Sequence, residues 1–554
     1  MSALPSFRSG ARKGALGRLW RSGDPFIWLT GGALAGCLIM VGGLVLLILV
    51  NGLGVFWPTD VVRLTLQDGR VIIGQVAQRE AIPQPGAPAG TPPKSRIKIK
   101  QGNRDLYGND FVWVDDDQVA NRERPPEAIV IERREWGNLY GVIVEVRDGG
   151  RVAATGPREG WDALQARLPQ TARISREILR IEKKDIGDIN YAQDRIRLRV
   201  KRLELEGSTA GPQIERLRQE QAALQARYQE KEAALAELRR SLTASVVVSA
   251  AGDKAKDLSL AQIERAYYPN TMGVGGKVAF YLASLWDFVS EDPRESNTEG
   301  GVFPAIFGTV MMVILMSIVA TPFGVVAAFY LREYARPGTF VSAVRIAVNN
   351  LAGVPSIVFG VFGIGFFIYV VGGGIDRLFF PEALPSPTFG TGGILWASLT
   401  LALMTLPVVI VATEEGLAAV PRGMREASLA LGATKFETTW RVVLPAVMPA
   451  ILTGLILAIS RAAGEVAPLM ITGVVKLAPA LPFDGNWPFF HLERKFMHLG
   501  FHIYDVGFQS PNVDASRPMV FTTTLLLLLI VLLLNFTAIA IRNRLRKKYV
   551  SAAA

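Results

Sequence analysis

Six stretches of this chain are apolar for about twenty residues or more: Phe26 to Val50, Phe303 to Leu331, Val341 to Val371, Ile394 to Thr413, Val442 to Val475 and Met519 to Ile541. About 20 apolar residues in a helix cross a hydrocarbon core of about 30 Å. A helix also satisfies its own backbone hydrogen bonds in lipid. The sequence therefore predicts an α-helical integral membrane protein with six transmembrane helices. Half of the residues are hydrophobic and the formal net charge is +11. Much of the basic excess flanks the outermost spans, with Arg8, Arg12, Lys13, Arg18 and Arg21 before the first and Arg542, Arg544, Arg546, Lys547 and Lys548 after the last. Lys and Arg concentrate in cytoplasmic segments. Both the N-terminus (1–25) and the tail (542–554) are thus expected in the cytoplasm, as six crossings require. No aromatic motif interleaves with the charge, so nucleic acid is not an expected partner; the lipid bilayer is.

Between the first and second spans the chain leaves the membrane for some 250 residues. This extracytoplasmic insertion, 51–257, reads as α+β. The stretch 61–152 is β-rich: Val61 to Leu66 and Val71 to Val76 flank the turn Gln67-Asp68-Gly69-Arg70, and Arg96 to Lys100 alternates with period two. A Pro/Gly-rich connection runs from Ile82 to Pro93. From 171 to 242 the pattern becomes helical. Ile214, Leu217, Leu224, Tyr228, Leu235, Leu238 and Leu242 fit a and d heptad positions, and Gly207 to Pro212 interrupts them. The expectation is a coiled-coil helical hairpin, an arm of about 45 Å for 30 residues, serving as a docking arm for a periplasmic partner or as a spacer. Residues 258–302 lead back to the bilayer. The single cysteine, Cys37, excludes an intramolecular disulfide. Leu34-Ala35-Gly36-Cys37 has a lipobox-like pattern, but the apolar run continues to Val50 and reads as a membrane helix.

The core, 303–541, carries its densest pattern in the loop 421–445. Met424, Ala427, Ser428 and Leu431 recur at helical spacing, Gly432 supplies a left-handed C-terminal cap, and Thr434 with Glu437 has the spacing of a capping box. Helix, tight break and inward-running helix follow. Glu426 and Ala427, Gly432 six residues after the glutamate, then Val442, Leu444 and Pro445 resemble the EAA motif of ABC importer permeases. Ser428 replaces its third residue and Val442 its isoleucine. The resemblance implies a type I ABC importer permease fold. It also makes the short helix, with Arg425, Glu426, Ala427, Ser428, Leu431 and Gly432, the element that docks on a cytoplasmic ATPase.

Arg461 and Glu465 stand out in the fifth span. Ionisable groups in a membrane segment are costly and mark pathways. Four residues apart, these two share a helix face and can pair. Arg461 offers a planar fork of donors to an oxyanion, with Glu465 restraining it; a structural ion pair is the other reading. Arg461, then Gly464-Glu465 and Ala467-Pro468-Leu469, together with Gly300 to Thr309 and Gly353 to Val358, resemble phosphate importer permeases of the PstA type in an extended form, over about 258–541. This implies a permease subunit of the bacterial inner membrane moving inorganic phosphate. The implied partners are a second, PstC-type permease, two ATPase subunits and a periplasmic phosphate-binding protein. No P-loop pattern occurs in the chain, so it is expected to be a transport subunit and not an enzyme, with ATP and magnesium held by the partner ATPase and no cofactor of its own. Other oxyanions, molybdate or sulfate, and a membrane-anchored sensor or scaffold are the alternative readings.

All three histidines, His491, His498 and His502, fall in the expected outer loop. Their spacing suits one face of a helix, a weak metal-site pattern. The surrounding Phe489, Phe490, Phe496 and Phe501 favour an amphipathic helix lying on the membrane.

Overall fold

The computed structural model describes residues 22–83, 94–207, 211–510 and 513–550. Arg8, Arg12, Lys13, Arg18 and Arg21, and most of the Pro/Gly-rich connection, lie outside the described residues, as do the side chains of Arg546, Lys547 and Lys548. Six described helices are long and apolar enough to cross a membrane: Asp24–Gly54, Phe303–Tyr334, Ser356–Phe379, Ile394–Ala419, Lys435–Gly464 and Val513–Arg544. The fourth is central, with 67% of its most apolar window buried; the first, which carries the exposed Cys37, has none. The fourth packs on the second and fifth through small residues. A Cβ added at Gly416 would lie 2.4 Å from Ala450 Cβ, and one at Gly454 2.7 Å from Ala412 Cβ. Such close approach is how helices associate where lipid removes the hydrophobic contrast.

Two spans depart most from the expected limits. The third breaks after Leu351, because Pro355 disfavours helical conformation in the residue before it. Thr339–Leu351 is thus a separate helix, and the crossing segment is Ser356–Phe379. The fifth begins at Lys435 and ends at Gly464, not at Val475. Pro468 has no N–H for the Gly464 carbonyl, and Glu465 is extended (φ −83°, ψ 128°) before a short helix, Ala467–Thr472.

The insertion holds two antiparallel sheets. The first contains β1 (Val61–Leu66), β2 (Val71–Ala81), β3 (Ser95–Lys100), β4 (Phe111–Asp115) and β5 (Val119–Glu123) in the order β4-β3-β2-β1-β5. Val62, Leu64, Ile97 and Ile99 form its buried face. The second contains β6 (Ile129–Arg133), β7 (Leu139–Asp148), β8 (Arg151–Thr155), β9 (Ser245–Ser249), β10 (Ala255–Ser259) and β11 (Ile263–Tyr267) in the order β10-β9-β7-β6-β11, with β8 beside β7. The β structure therefore extends well past residue 152, into the stretch expected to be the lead-in. The helical region interrupts this sheet and starts at Pro157, earlier than Thr171. It comprises Pro157–Arg180, a wider-wound turn Ile181–Asp185, Ile186–Leu205 and the returning helix Pro212–Ser241. The two limbs run antiparallel, as three contacts show: Arg239 with Glu182 at 2.6 Å, Lys231 with Asp185 at 2.8 Å and Gln193 with Gln225 at 3.2 Å. Ile214, Leu217 and Leu235 are buried on the inner face of the returning helix.

The arm does not project freely. Arg202 pairs with Glu382, Lys201 donates to the Leu384 carbonyl, Tyr191 Oη donates to the Trp487 carbonyl at 3.1 Å, and Asn486 Nδ2 donates to Asp188 at 3.0 Å. It lies against the loops at the end of the bundle opposite the 421–443 segment.

Candidate functional site

Pro421 leads into the helix Arg422–Ala430, none of whose residues is buried. Gly432 turns the chain at φ +86°, a conformation that costs glycine nothing. The reciprocal capping box then forms: Thr434 Oγ1 accepts from the Glu437 N–H at 3.2 Å and Glu437 Oε2 from the Thr434 N–H at 2.9 Å. The wider-wound turn Thr439–Val443 precedes Pro445, which has no N–H to give the carbonyl of Arg441.

Within this loop the six expected site residues divide. Glu426, Ala427 and Leu431 are exposed, Leu431 at 90%. Glu426 has no ion-pair partner among the described residues. Leu429, Phe436 and Trp440 extend the exposed apolar patch, the last two stacked at 6.4 Å. Arg425 and Ser428 turn inward. Arg425 donates to Glu333 Oε1 at 2.9 Å and to the carbonyls of Val420 and Leu417 at 2.8 and 2.9 Å. The Ser428 and Thr438 hydroxyls bond at 2.9 Å across the turn. Gly432 supplies only the turn. A second ion pair, Arg345 with Glu414 at 3.3 Å, ties the helix Thr339–Leu351 to the fourth span, and Arg345 also donates to the Leu331 carbonyl at 3.0 Å. Sequence reasoning missed Glu333, Arg345 and Glu414; their only signal was charge at the ends of apolar runs.

Arg461 and Glu465 do come together, Nε to Oε1 at 3.6 Å, each partly exposed. They lie three residues before and just past the end of the Lys435–Gly464 helix. At 1.5 Å per residue that is about 39 Å from Lys435, at the far end of the span and not at its middle. The neighbouring Ala462 and Ala463 are buried in the bundle core. Ser460 Oγ bonds Asn535 Oδ1 of the sixth span at 2.9 Å.

The histidines correct the sequence reading. All three are buried, at 2%, 0% and 2% exposure, and only Leu499–Tyr504 among their neighbours is α-helical, so no amphipathic helix lies on the membrane here. His491 bridges Asp484 at 3.0 Å and Glu493 at 3.2 Å, and Asp484 also binds Arg494 at 2.6 Å. His498 Nδ1 accepts from the Gly500 N–H at 3.1 Å. Burial pushes His498 down to about 3 and His502 down to about 4. Among the described residues, no three His, Cys, Asp or Glu side chains gather as a ligand set.

Residues 320–550 match the model of the binding-protein-dependent transport system inner membrane component. The chain is 31% identical over 220 residues to the probable ABC transporter permease protein YqgH of Bacillus subtilis, spanning 38% of this chain and 67% of that protein. The chain belongs to the ABC transporter permeases. It is also 36% identical over 211 residues to the phosphate transport system permease protein PstA of Mycobacterium leprae (37% of this chain, 64% of that protein). With PstC of Xylella fastidiosa it shares 30% identity over 222 residues (38% and 68%). The permease thus spans about two thirds of the length of these relatives. Among solved structures, an inward-facing MetNI methionine ABC transporter chain aligns with TM-score 0.32 and 20% identity, covering 48% of this chain and 98% of that one. Six apolar helices and the family match place this permease among multi-pass membrane proteins; the insertion at 51–257 precedes the matched residues 320–550.

Proposed function

We propose that this permease is one membrane subunit of an ATP-driven importer of inorganic phosphate in the bacterial inner membrane. The observation that carries the coupling half of this reading is the 421–443 loop: a short helix with no buried residue, an exposed Glu426 without an ion-pair partner among the described residues and an apolar patch, anchored from behind by Arg425 on Glu333. That is the form of a knob meant for a groove on another chain. Closure of a cytoplasmic ATPase dimer around ATP pulls this helix, and the Arg425 anchor passes the displacement to the second span, opening the bundle outward. Reversal after hydrolysis releases the cargo inside.

Phosphate as cargo is supported by the phosphate transport permeases among the relatives and by Arg461, whose planar donors suit a tetrahedral oxyanion. Because the permease family works with binding proteins, a soluble phosphate-binding protein, a second permease of PstC type and two ATPase subunits complete the assembly. Both termini and the 421–443 loop then lie in the cytoplasm, and the insertion lies outside. There the arm occupies the face a soluble partner approaches.

The test is co-purification followed by reconstitution. A tagged chain should bring down the ATPase and a second permease. In liposomes, ATP hydrolysis should rise with phosphate-loaded binding protein and not with sulfate or molybdate. Stimulation by sulfate or molybdate instead would reassign the cargo; recovery of the chain without any ATPase would remove the importer reading.

A further inference from the structure

Between the β domain and the outer ends of two spans lies a cavity of about 770 Å3. Its two walls differ. Phe56 and Trp57, just past the first span, with Met519 and Phe521 near the start of the sixth, form an apolar side at the level where aromatic residues sit at a membrane interface. The opposite side, from the β domain and the lead-in to the second span, is charged.

Most of these charges are already paired. Lys98 binds Asp514 at 2.7 Å, Arg265 binds Glu132 at 2.9 Å and Asp287 at 3.2 Å, and Arg294 reaches Glu264 at 3.4 Å. Lys100 and Glu299 line the same cavity, and among the described residues neither has an ion-pair partner. Arg294 Nε is also buried without an acceptor. Burial works against the Lys100 ammonium, but Tyr140 and Glu299 outweigh it and raise its pKa; burial raises Glu299, with Lys100 opposing. Half-buried charges of both signs, left without direct partners, are costly unless something completes them. Inorganic phosphate would satisfy Lys100 but be repelled by Glu299, and would leave the apolar wall unused.

We propose that the cavity holds the headgroup of a zwitterionic phospholipid of the ethanolamine type, its phosphodiester on Lys100 and its ammonium on Glu299. The acyl chains leave along Phe56, Met519 and Phe521 into the bilayer. A bound lipid at this seam joins the β domain to the first and sixth spans, next to the Lys98–Asp514 contact.

The test uses the full chain with its partner subunits, extracted in mild detergent, with retained lipid quantified by mass spectrometry. About one ethanolamine phospholipid per chain is expected. Lys100→Gln should lower its retention about tenfold. Glu299→Gln should keep a phospholipid but lose the preference for dihexanoyl phosphatidylethanolamine over dihexanoyl phosphatidylglycerol in displacement. This second readout stands even if Lys100→Gln does not fold. Equal retention in both variants and wild type overturns the proposal. So does a thermal shift with inorganic phosphate that Lys100→Gln abolishes while neither lipid produces one, since the occupant is then a free anion.

Discussion

Arg425 in the exposed loop and Glu333 at the end of the second span, 92 residues apart in sequence, meet at 2.9 Å. The two side chains are 20% and 16% exposed, and two backbone carbonyls take further Arg425 protons. The loop is therefore pinned to the second span as well as to the spans that flank it. Leaving a partly buried charge without its partner costs about 2–3 kcal/mol locally. Arg425→Gln and Glu333→Gln should each uncouple ATP hydrolysis from transport while the ATPase still co-purifies, because Glu426 and Leu431 remain outside. Stimulated and basal ATPase rates in liposomes check this, and a double mutant no worse than either single one would show that the pair acts as a unit.

The arm should be releasable. Arg202 and Glu382 anchor its tip to the loop before the fourth span, and one partly exposed ion pair is worth about 1 kcal/mol. Glu382→Lys should raise the rate of tryptic cleavage in the arm about fivefold, and the charge-swapped double variant should restore protection. Limited proteolysis with mass-spectrometric mapping reads both.

Acid should loosen the segment around the buried histidines. His498 and His502 are held neutral with pKa values of about 3 and about 4 in the folded chain, against 6.5 for the free side chain. The unfolded state therefore binds more protons between pH 6.5 and 4, and stability present above pH 6.5 is lost as pH falls through that window. For His502, near Asp505 and Lys476, the loss is on the order of 3 kcal/mol. Hydrogen exchange in 497–509 should accelerate on acidification, and His502→Gln should flatten the response.

Arg461 and Glu465 should behave unequally. If Arg461 meets the passing anion and Glu465 only restrains it, Arg461→Gln should lower phosphate uptake more than about tenfold with the complex intact, and Glu465→Gln should spare the maximal rate. Equal losses accompanied by equal falls in melting temperature would make the contact structural.

Local chemistry was legible in the sequence. The Thr434–Glu437 capping box, the left-handed Gly432 and the β1–β2 hairpin each depend on residues a few positions apart, and the structure contains all three. Non-local pairing was not. β7 pairs with β9 across the whole arm, Val146 opposite Val246, a pairing that no local pattern after residue 245 marks. The histidines misled because their spacing imitates a helix, whereas hydrogen bonds from His491 to Asp484 and Glu493 and the Asp484–Arg494 ion pair fix a loop there. Within the loop, the resemblance marked Arg425 and Glu426 alike; only the fold shows that one faces inward and the other outward.

Labelled phosphate uptake tests the central claim most directly, in cells lacking their own high-affinity system and given this permease with its partner subunits, with sulfate and molybdate as competitors. Wild-type permease should give saturable uptake that neither competitor reduces, and Glu426→Lys, a change at an exposed position, should abolish it without lowering the amount of permease in the membrane. Uptake that survives Glu426→Lys, or none at all from a fully assembled complex, would contradict the account.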